Sequence, residues 1–282
     1  MKFKFSRIQV MIAAMVLAVA AFFLRLYQVS AAFDENGITT GKGIVFFSVV
    51  TALVVALFAL YSYTLKGRKK YQAIASQDLP ELAIGAAATV LMLGAGAASL
   101  LHAQSVVDKV VAAGSIVSAL CWGTTAAFRY TGKRVPVGFF MLPSVYYVVI
   151  LVLRFRFWTR DPIIIDYCYD LFALISLMCA TFHLGGFCFE NGQRRMTVFY
   201  TLCSIFFSAA AIVHASKAEG LAYGAGILWM LANLWLLLRP SRQLKAVELS
   251  ETEEAAEDET EETVETEETV EEEIETEMGD MP

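Results

Sequence analysis

Acidic residues are scarce in most of this sequence, and basic residues are absent from the rest. Of the 28 Asp and Glu in the 282 residues, 18 lie between Glu248 and Pro282, a stretch without Lys or Arg. The first 247 residues carry all 22 Lys and Arg against 10 acids, a formal charge of +12. Such asymmetry can signal nucleic-acid binding. Here the basic residues stand between apolar runs, so we expect a membrane protein without a nucleic-acid partner.

Motifs for metal binding and catalysis are also missing. The five cysteines fall inside or at the ends of apolar runs and form no CxxC pair, so neither a disulfide framework nor a metal site is expected. The sequence contains no HExxH zinc helix, no serine-hydrolase motif and no P-loop. It also lacks the GxGD motif of an aspartyl intramembrane protease. Such a protease needs its two aspartates on different helices, whereas the only intramembrane pair here lies on one span. We therefore expect no enzyme activity and no cofactor.

Apolar residues dominate what is present. They make up 57% of the chain, and the mean hydropathy of +0.56 is too high for a soluble globular protein. Runs long enough to cross a bilayer as helices predict an all-α integral membrane protein with eight transmembrane helices, over about 8–29, 43–65, 82–101, 110–128, 137–153, 163–189, 197–215 and 221–238. The first run could instead be a signal peptide cleaved after Ala20, but it continues past that point, which favours an uncleaved anchor.

The orientation follows from the Lys and Arg residues in the loops. One side of the eight-span topology receives fifteen of them and the other side six, with Arg25 left inside the first span. The only contrary cluster is Arg154, Arg156 and Arg160 after the fifth span. The count predicts that both termini are cytoplasmic and that the membrane is the plasma membrane.

The tail and two internal patterns leave alternatives open. Residues 248–282 are rich in Glu and Thr and are predicted to be a disordered cytoplasmic tail, because they cannot bury enough apolar surface to offset chain entropy. That tail is a solvated extension, an electrostatic latch onto basic loops, or an arm that binds a partner. The Gly220-x-x-x-Gly224 spacing predicts close helix packing, within the bundle or in a homodimer. Similar basic loops after the second and sixth spans suggest a four-plus-four repeat.

Ionisable residues inside the spans are the candidate site, because such residues are costly in a bilayer. Asp166 and Asp170 are four residues apart near the outer end of the sixth span, so both carboxylates share one helical face. Other spans end at a similar depth with Arg25, Arg154, His102 and His214. These residues predict a polar vestibule that faces outward and binds a small charged solute or couples to protons or cations.

The same residues also allow a purely structural interpretation. Arg154 would then pair with Asp166 across the tight hairpin between the fifth and sixth spans. Arg25 would extend its side chain to the interface. His183, on a different face of the sixth span, is typical of a hydrogen-bonded core histidine.

The run from Trp158-Thr-Arg-Asp161-Pro162 to Arg194-Arg195 resembles multi-span membrane proteins of bacteria over about 40 residues. That resemblance implies a bacterial membrane protein and no particular activity. We therefore expect a bacterial bundle that binds, senses or transports a small solute, with the lipid bilayer around it. The alternatives are a scaffold or accessory subunit that recruits a cytoplasmic partner through its tail, and a lipid-active enzyme without a recognisable motif.

Overall fold

A computed structural model describes residues 6–31, 41–65, 70–75, 77–158 and 164–239, with backbone alone at 30–31, 41–44, 156–158 and 164–167. These residues form eight α-helices: α1 (Arg7–Ala31), α2 (Gly41–Thr64), α3 (Leu79–Leu101), α4 (Val106–Tyr130), α5 (Gly138–Trp158), α6 (Ile164–Gly185), α7 (Arg194–Ala211) and α8 (Lys217–Leu237). Short 3₁₀ turns cover Tyr71–Ala73 and Gly186–Phe189. The described residues contain no β-strand, so the helical class predicted from the sequence is confirmed.

Successive helices run in opposite directions through the bundle. We call the end at which α1 begins the near end and the opposite end the far end. At the far end, ion pairs join Arg154 at the end of α5 to Asp170 in α6 and Glu219 at the start of α8. At the near end, Arg129 in the last turn of α4 pairs with Glu81 in the first turn of α3. Each end of the bundle therefore has its own cluster of charged side chains.

The outer surface of the bundle is apolar. Seven of the described helices, all except α7, are long and apolar enough to cross a membrane. Large apolar side chains point outward along them, including Ile12, Val16, Leu53, Leu57 and Leu60, each more than half exposed. An apolar surface of this extent requires hydrocarbon around it rather than water. The structure thus supports a membrane-embedded helical protein.

Helix α7 differs from the other seven because protein surrounds it. Fourteen of its 18 residues are buried, and it packs against α1, α2, α6 and α8. Two of its buried hydroxyl groups bond back to its own backbone: Thr201 Oγ1 donates to the Thr197 carbonyl at 2.7 Å and Ser204 Oγ to the Thr201 carbonyl at 2.8 Å. The sequence places the seventh span at 197–215, whereas the helix covers Arg194–Ala211.

Several helix boundaries differ from the predicted ones, at two helix starts because a local sequence signal was not used. Helix α3 begins at Leu79 rather than 82, because Pro80 in its first turn is already set for helical φ. Helix α8 begins at Lys217 rather than 221, because Ser216 and Glu219 form a capping box. Helix α5 extends to Trp158 instead of ending at 153. These shifts bring Glu81, Glu219 and Arg154 into helices.

Loops at the near end are fixed by local hydrogen bonds. Helix α4 is followed by Gly132, whose φ is +71°. The Lys133 amide donates to the Phe128 carbonyl at 2.9 Å, as in a Schellman motif. The Val135 amide donates to the Tyr71 hydroxyl oxygen at 2.9 Å, which ties the α4–α5 loop to the turn before α3. Burial raises the pKa of Tyr71 above its ordinary value, so this hydroxyl stays protonated.

Glycines allow close helix contacts at positions other than the one that the sequence pattern singled out. A Cβ at Gly96 in α3 would lie 2.7 Å from Ile116 Cγ1 in α4, so these helices approach closely there. A Cβ at Gly220 or Gly224 would meet no described heavy atom within 4 Å. The pair therefore does not mediate packing within the bundle, and the homodimer alternative stays a prediction. The predicted tail, residues 248–282, lies outside the described residues.

Candidate functional site

A cavity of about 660 Å³ opens at the far end between α3, α4, α5, α6 and α8. We call it the far-end cavity. On four of these helices the lining residue farthest from the far end is Met92, Ser115, Tyr146 or Leu177, and these four residues form the floor. Its rim carries the exposed residues His102, Asp108 and Lys217. Its volume is within the range of small-molecule sites in proteins.

Three polar side chains line this cavity side by side: Arg154, Glu219 and Tyr223. Arg154 and Tyr223 also bond to Asp170, which lies outside the lining, and we call these four residues the far-end charge cluster. The Arg154 guanidinium donates Nη1 to Asp170 Oδ2 and Nη2 to Glu219 Oε1. Arg154 Nη1 also donates to the Tyr223 hydroxyl at 3.1 Å, and that hydroxyl donates to Asp170 Oδ1 at 2.5 Å. Both oxygens of Asp170 are thus engaged within the cluster.

The capping of α8 places Glu219 in the cluster. The Ser216 amide donates to Glu219 Oε2 at 2.9 Å, and the Glu219 amide donates to Ser216 Oγ at 3.4 Å. Glu219 and Tyr223 are four residues apart, so one helical face presents both groups to Arg154. The Glu219 side chain is 42% exposed, whereas Arg154 and Asp170 are each 20% exposed. Glu219 is therefore the charged member of the cluster that solvent reaches most easily.

The rest of the lining is mainly apolar and aromatic. Tyr146 and Ile150 of α5, with Leu174 of α6, are buried in the lining. Tyr147 is also buried, and its hydroxyl has no hydrogen-bond partner among the described residues. A buried hydroxyl without a partner costs free energy unless a ligand or water satisfies it. The cavity thus combines an apolar body with polar groups at its side and floor.

A second cluster closes the bundle at the near end. Arg129 Nη1 donates to Glu81 Oε1 at 3.1 Å, and Arg129 Nη2 donates to Asn233 Oδ1 at 3.0 Å. We call Glu81, Arg129 and Asn233 the near-end charge cluster, and all three are fully buried. Between it and the far-end cavity, the Trp122 and Trp229 rings stack with centroids 5.2 Å apart. A packed aromatic layer therefore separates the cavity floor from the near-end cluster.

The structure brings together only some of the predicted site residues. Arg154 and Asp170 are in the far-end cluster, and His102 is at the cavity rim. The backbone of Asp166 is in α6, but its side chain lies outside the described part, so the predicted Arg154–Asp166 pair is not described. The described pairs of Arg154 are with Asp170 and Glu219. His214, at the end of α7, is exposed.

Arg25 does not line this cavity. It is buried, its Nη1 donates to Gln28 Oε1 at 2.7 Å, and its guanidinium lies 4.8 Å from the Tyr169 ring centroid. Tyr169 and Asp170 are consecutive in α6 and so point about 100° apart. Because α1 packs against α7, Arg25 reaches a different face of α6 from Arg154. Its burial also contradicts an extension to the interface.

Sequence reasoning missed Glu219, Tyr223 and the whole near-end cluster. The Ser216-x-x-Glu219 capping box and Pro80 were the available signals, because they start α8 and α3 early enough to include Glu219 and Glu81. No sequence signal reveals that Asn233 faces Arg129. The ring of His183 stacks on Tyr200 of α7 at 5.3 Å, so this histidine has a packing role.

An apolar groove of about 790 Å³ opens laterally between α2, α6 and α7. Its lining includes Val55, Phe172, Phe199 and Phe207, and no charged residue that the structure describes takes part. A groove of this composition on the outer surface suits hydrocarbon chains. The far-end cavity, which combines charge with enclosure, is therefore the stronger candidate site.

No protein-family model, no curated protein and no solved structure matches this chain.

Proposed function

We propose that the protein is a bacterial plasma-membrane bundle of eight transmembrane helices that binds a small charged solute in its far-end cavity. Both termini are cytoplasmic, so the cavity opens to the outside. Binding there serves the transport or the sensing of that solute. The observation that carries the proposal is the far-end charge cluster on the wall of an open, otherwise apolar cavity.

The contrast between the two charge clusters supports a binding role. Each cluster links three helices, and a purely structural role would already explain that link. The near-end cluster is fully enclosed, as expected of a group that only holds helices together. The far-end cluster stays partly exposed at a cavity, although enclosing its ion pairs would strengthen them. Charged groups at such a depth are expensive and usually mark a solute or ion path.

Neighbouring positions on α5 provide a direct test. Ile150 lines the cavity, whereas Val149 is exposed on the outer surface. We expect the thiol of Ile150→Cys to react with N-ethylmaleimide at least about tenfold faster than that of Val149→Cys, because the reactive thiolate forms only where water reaches it. Mass spectrometry of the full-length protein in membranes, with the native cysteines as internal references, measures both rates.

Solute binding is then measured as a slower reaction of the Ile150→Cys thiol with N-ethylmaleimide. A panel of small organic cations, carboxylates and zwitterions is added before labelling of Ile150→Cys. The proposal expects at least one class to slow labelling in a saturable way. Equal rates at the two positions, or no protection by any member of the panel, would overturn it.

The scaffold alternative depends on the tail. If it were correct, deletion of residues 248–282 would abolish the cellular phenotype while thiol labelling and protection stayed unchanged. The lipid-active enzyme alternative expects the purified protein to convert labelled lipid. Neither alternative explains why a charged cavity opens at the far end.

A further inference from the structure

The far-end charge cluster carries one more negative than positive charge. Asp170 and Glu219 each contribute a carboxylate, Arg154 contributes one guanidinium, and Tyr223 is bonded to both Arg154 and Asp170. At the rim, Asp108 and Lys217 have opposite charges and are exposed, so solvent screens them. Among the described residues, the charge cluster beside the cavity is therefore complementary to a single positive charge.

An anionic solute is disfavoured at the same place. Among the residues that the structure describes, Arg154 is the only guanidinium on the cavity wall, and two carboxylates fixed to neighbouring helices already hold it. An external anion could use only the remaining N–H donors of Arg154 and would stand beside both carboxylates. Their like charge would repel it.

Glu219 is the carboxylate that offers capacity for a ligand. Both Asp170 oxygens accept hydrogen bonds from the cluster, from Arg154 and from Tyr223. Glu219 Oε1 accepts from Arg154 and Oε2 accepts only from the exposed Ser216 amide. Each carboxylate oxygen has two lone-pair sites, so the half-exposed Glu219 can accept an ammonium N–H without losing Arg154.

The volume and lining favour an organic cation over a bare inorganic one. Nothing in the described part of the chain groups three His, Cys, Asp or Glu side chains as a metal site does. The far-end cavity, with about 660 Å³ of mainly apolar space, instead suits a ligand with an apolar body. The rings of Tyr146 and Tyr147 can face a cation, and the Tyr147 hydroxyl lacks a described partner.

We infer that the far-end cavity takes a small monovalent organic cation, an amine with an apolar body, whose ammonium group binds Glu219. This inference rests on the proposed function, because it names the class of solute for the same cavity. The ammonium lies between Glu219 and the tyrosine rings, and the apolar body fills the space toward Ile150 and Leu177.

Three compounds of matched shape separate charge from shape. They are 2-phenylethylamine, the neutral 2-phenylethanol and the anion 3-phenylpropanoate, each tested for protection of Ile150→Cys against N-ethylmaleimide. We expect the amine to protect at a concentration at least about tenfold lower than the alcohol, because only the ammonium gains a charge-assisted hydrogen bond. The anion should give no protection.

Substitution of Glu219 tests the assigned partner of the ammonium. Glu219→Gln, in the Ile150→Cys background, should raise the protecting concentration of the amine at least about tenfold and leave that of the alcohol unchanged. Glu190→Gln, an exposed position at the near end, should change neither value. Ser216→Ala removes the same helix cap but keeps the Glu219 carboxylate. The thermal midpoint of Ser216→Ala therefore shows how much of any stability loss in Glu219→Gln comes from the lost cap.

Each contrary outcome has a distinct meaning. Equal protection by amine and alcohol, or protection by the amine that Glu219→Gln leaves unchanged, would overturn the inference while solute binding stood. Stronger protection by the anion would do the same, and so would protection only by zwitterions of the wider panel. Absence of protection by every class would instead remove the proposed function itself.

Discussion

At the scale of single residues, burial decides what a charged pair contributes. The near-end pair of Glu81 and Arg129 is fully buried, whereas Arg134 and Glu190 pair on the surface with side chains 76% and 58% exposed. Removing one member of a buried pair leaves an uncompensated charge in a low-dielectric interior. Removing one member of a surface pair leaves a charge that water solvates.

We therefore expect Arg129→Met and Glu81→Met each to lower the free energy of unfolding by about 3–5 kcal/mol. The double variant should be less destabilised than the sum of the two, because no charge then remains buried without its partner. Denaturant unfolding of the full-length protein in detergent micelles measures the free energy of unfolding of each variant in this double-mutant cycle.

Arg134→Gln serves as the control for that cycle, with an expected loss below about 1 kcal/mol. Additive effects of Arg129→Met and Glu81→Met would contradict the ion pair described here. A loss in Arg134→Gln as large as that in Arg129→Met would also contradict the role of burial.

Residue-scale prediction from the sequence succeeded in part. Arg154 and Asp170 could be picked out because a charge within an apolar run is conspicuous. Their partner Glu219 lies at a helix start, where an acidic residue is ordinary, so only the capping box marks it. Asn233 could not be found, because a neutral amide in a span gives no sign of which helix it faces.

At the scale of helices, small residues determine how closely two elements approach. Gly96 of α3 faces α4, where a Cβ would lie 2.7 Å from Ile116 Cγ1 and 3.3 Å from the Ala112 carbonyl oxygen. Gly94, two residues earlier, has no described heavy atom within 4 Å of its added Cβ. The two glycines therefore make a matched pair in one helix.

We expect Gly96→Ala to destabilise the protein by about 1–3 kcal/mol, because the added methyl group forces α3 and α4 apart. Gly94→Ala should be neutral or stabilising by up to about 1 kcal/mol, because alanine is the better helix former. Thermal midpoints in the same detergent compare the two variants. Equal shifts for both would show that α3 and α4 do not make this contact.

Helix α7 shows what hydropathy alone cannot resolve. It does not qualify as a span by composition, mainly because its 18 residues include Arg194 and Arg195, yet it is the most enclosed helix that the structure describes. Hydropathy measures compatibility with lipid, whereas α7 mainly contacts protein. The sequence analysis found this helix only as a marginal apolar run, with its boundaries displaced by three or four residues.

At the scale of the whole molecule, the eight helices alternate in direction and return the chain to the near end. Together with fifteen Lys and Arg on one side against six on the other, this predicts both termini in the cytoplasm. We expect a C-terminal green fluorescent protein fusion to fluoresce and a C-terminal alkaline phosphatase fusion to be inactive. Phosphatase fused after Ala215, at the far end, should be active. The reverse pattern would place the far-end cavity on the cytoplasmic side.

The sequence by itself determined the helical membrane class and the existence of eight helices. Both follow from local physics, because lipid requires apolar runs whose backbone hydrogen bonds close within each run. Only the tertiary structure decided which polar groups meet. It joined Arg154 to Asp170 and Glu219, moved Arg25 to another face of α6 and buried Glu81 against Arg129. Such contacts depend on how helices distant in sequence rotate and pack, and a span's own composition does not encode that.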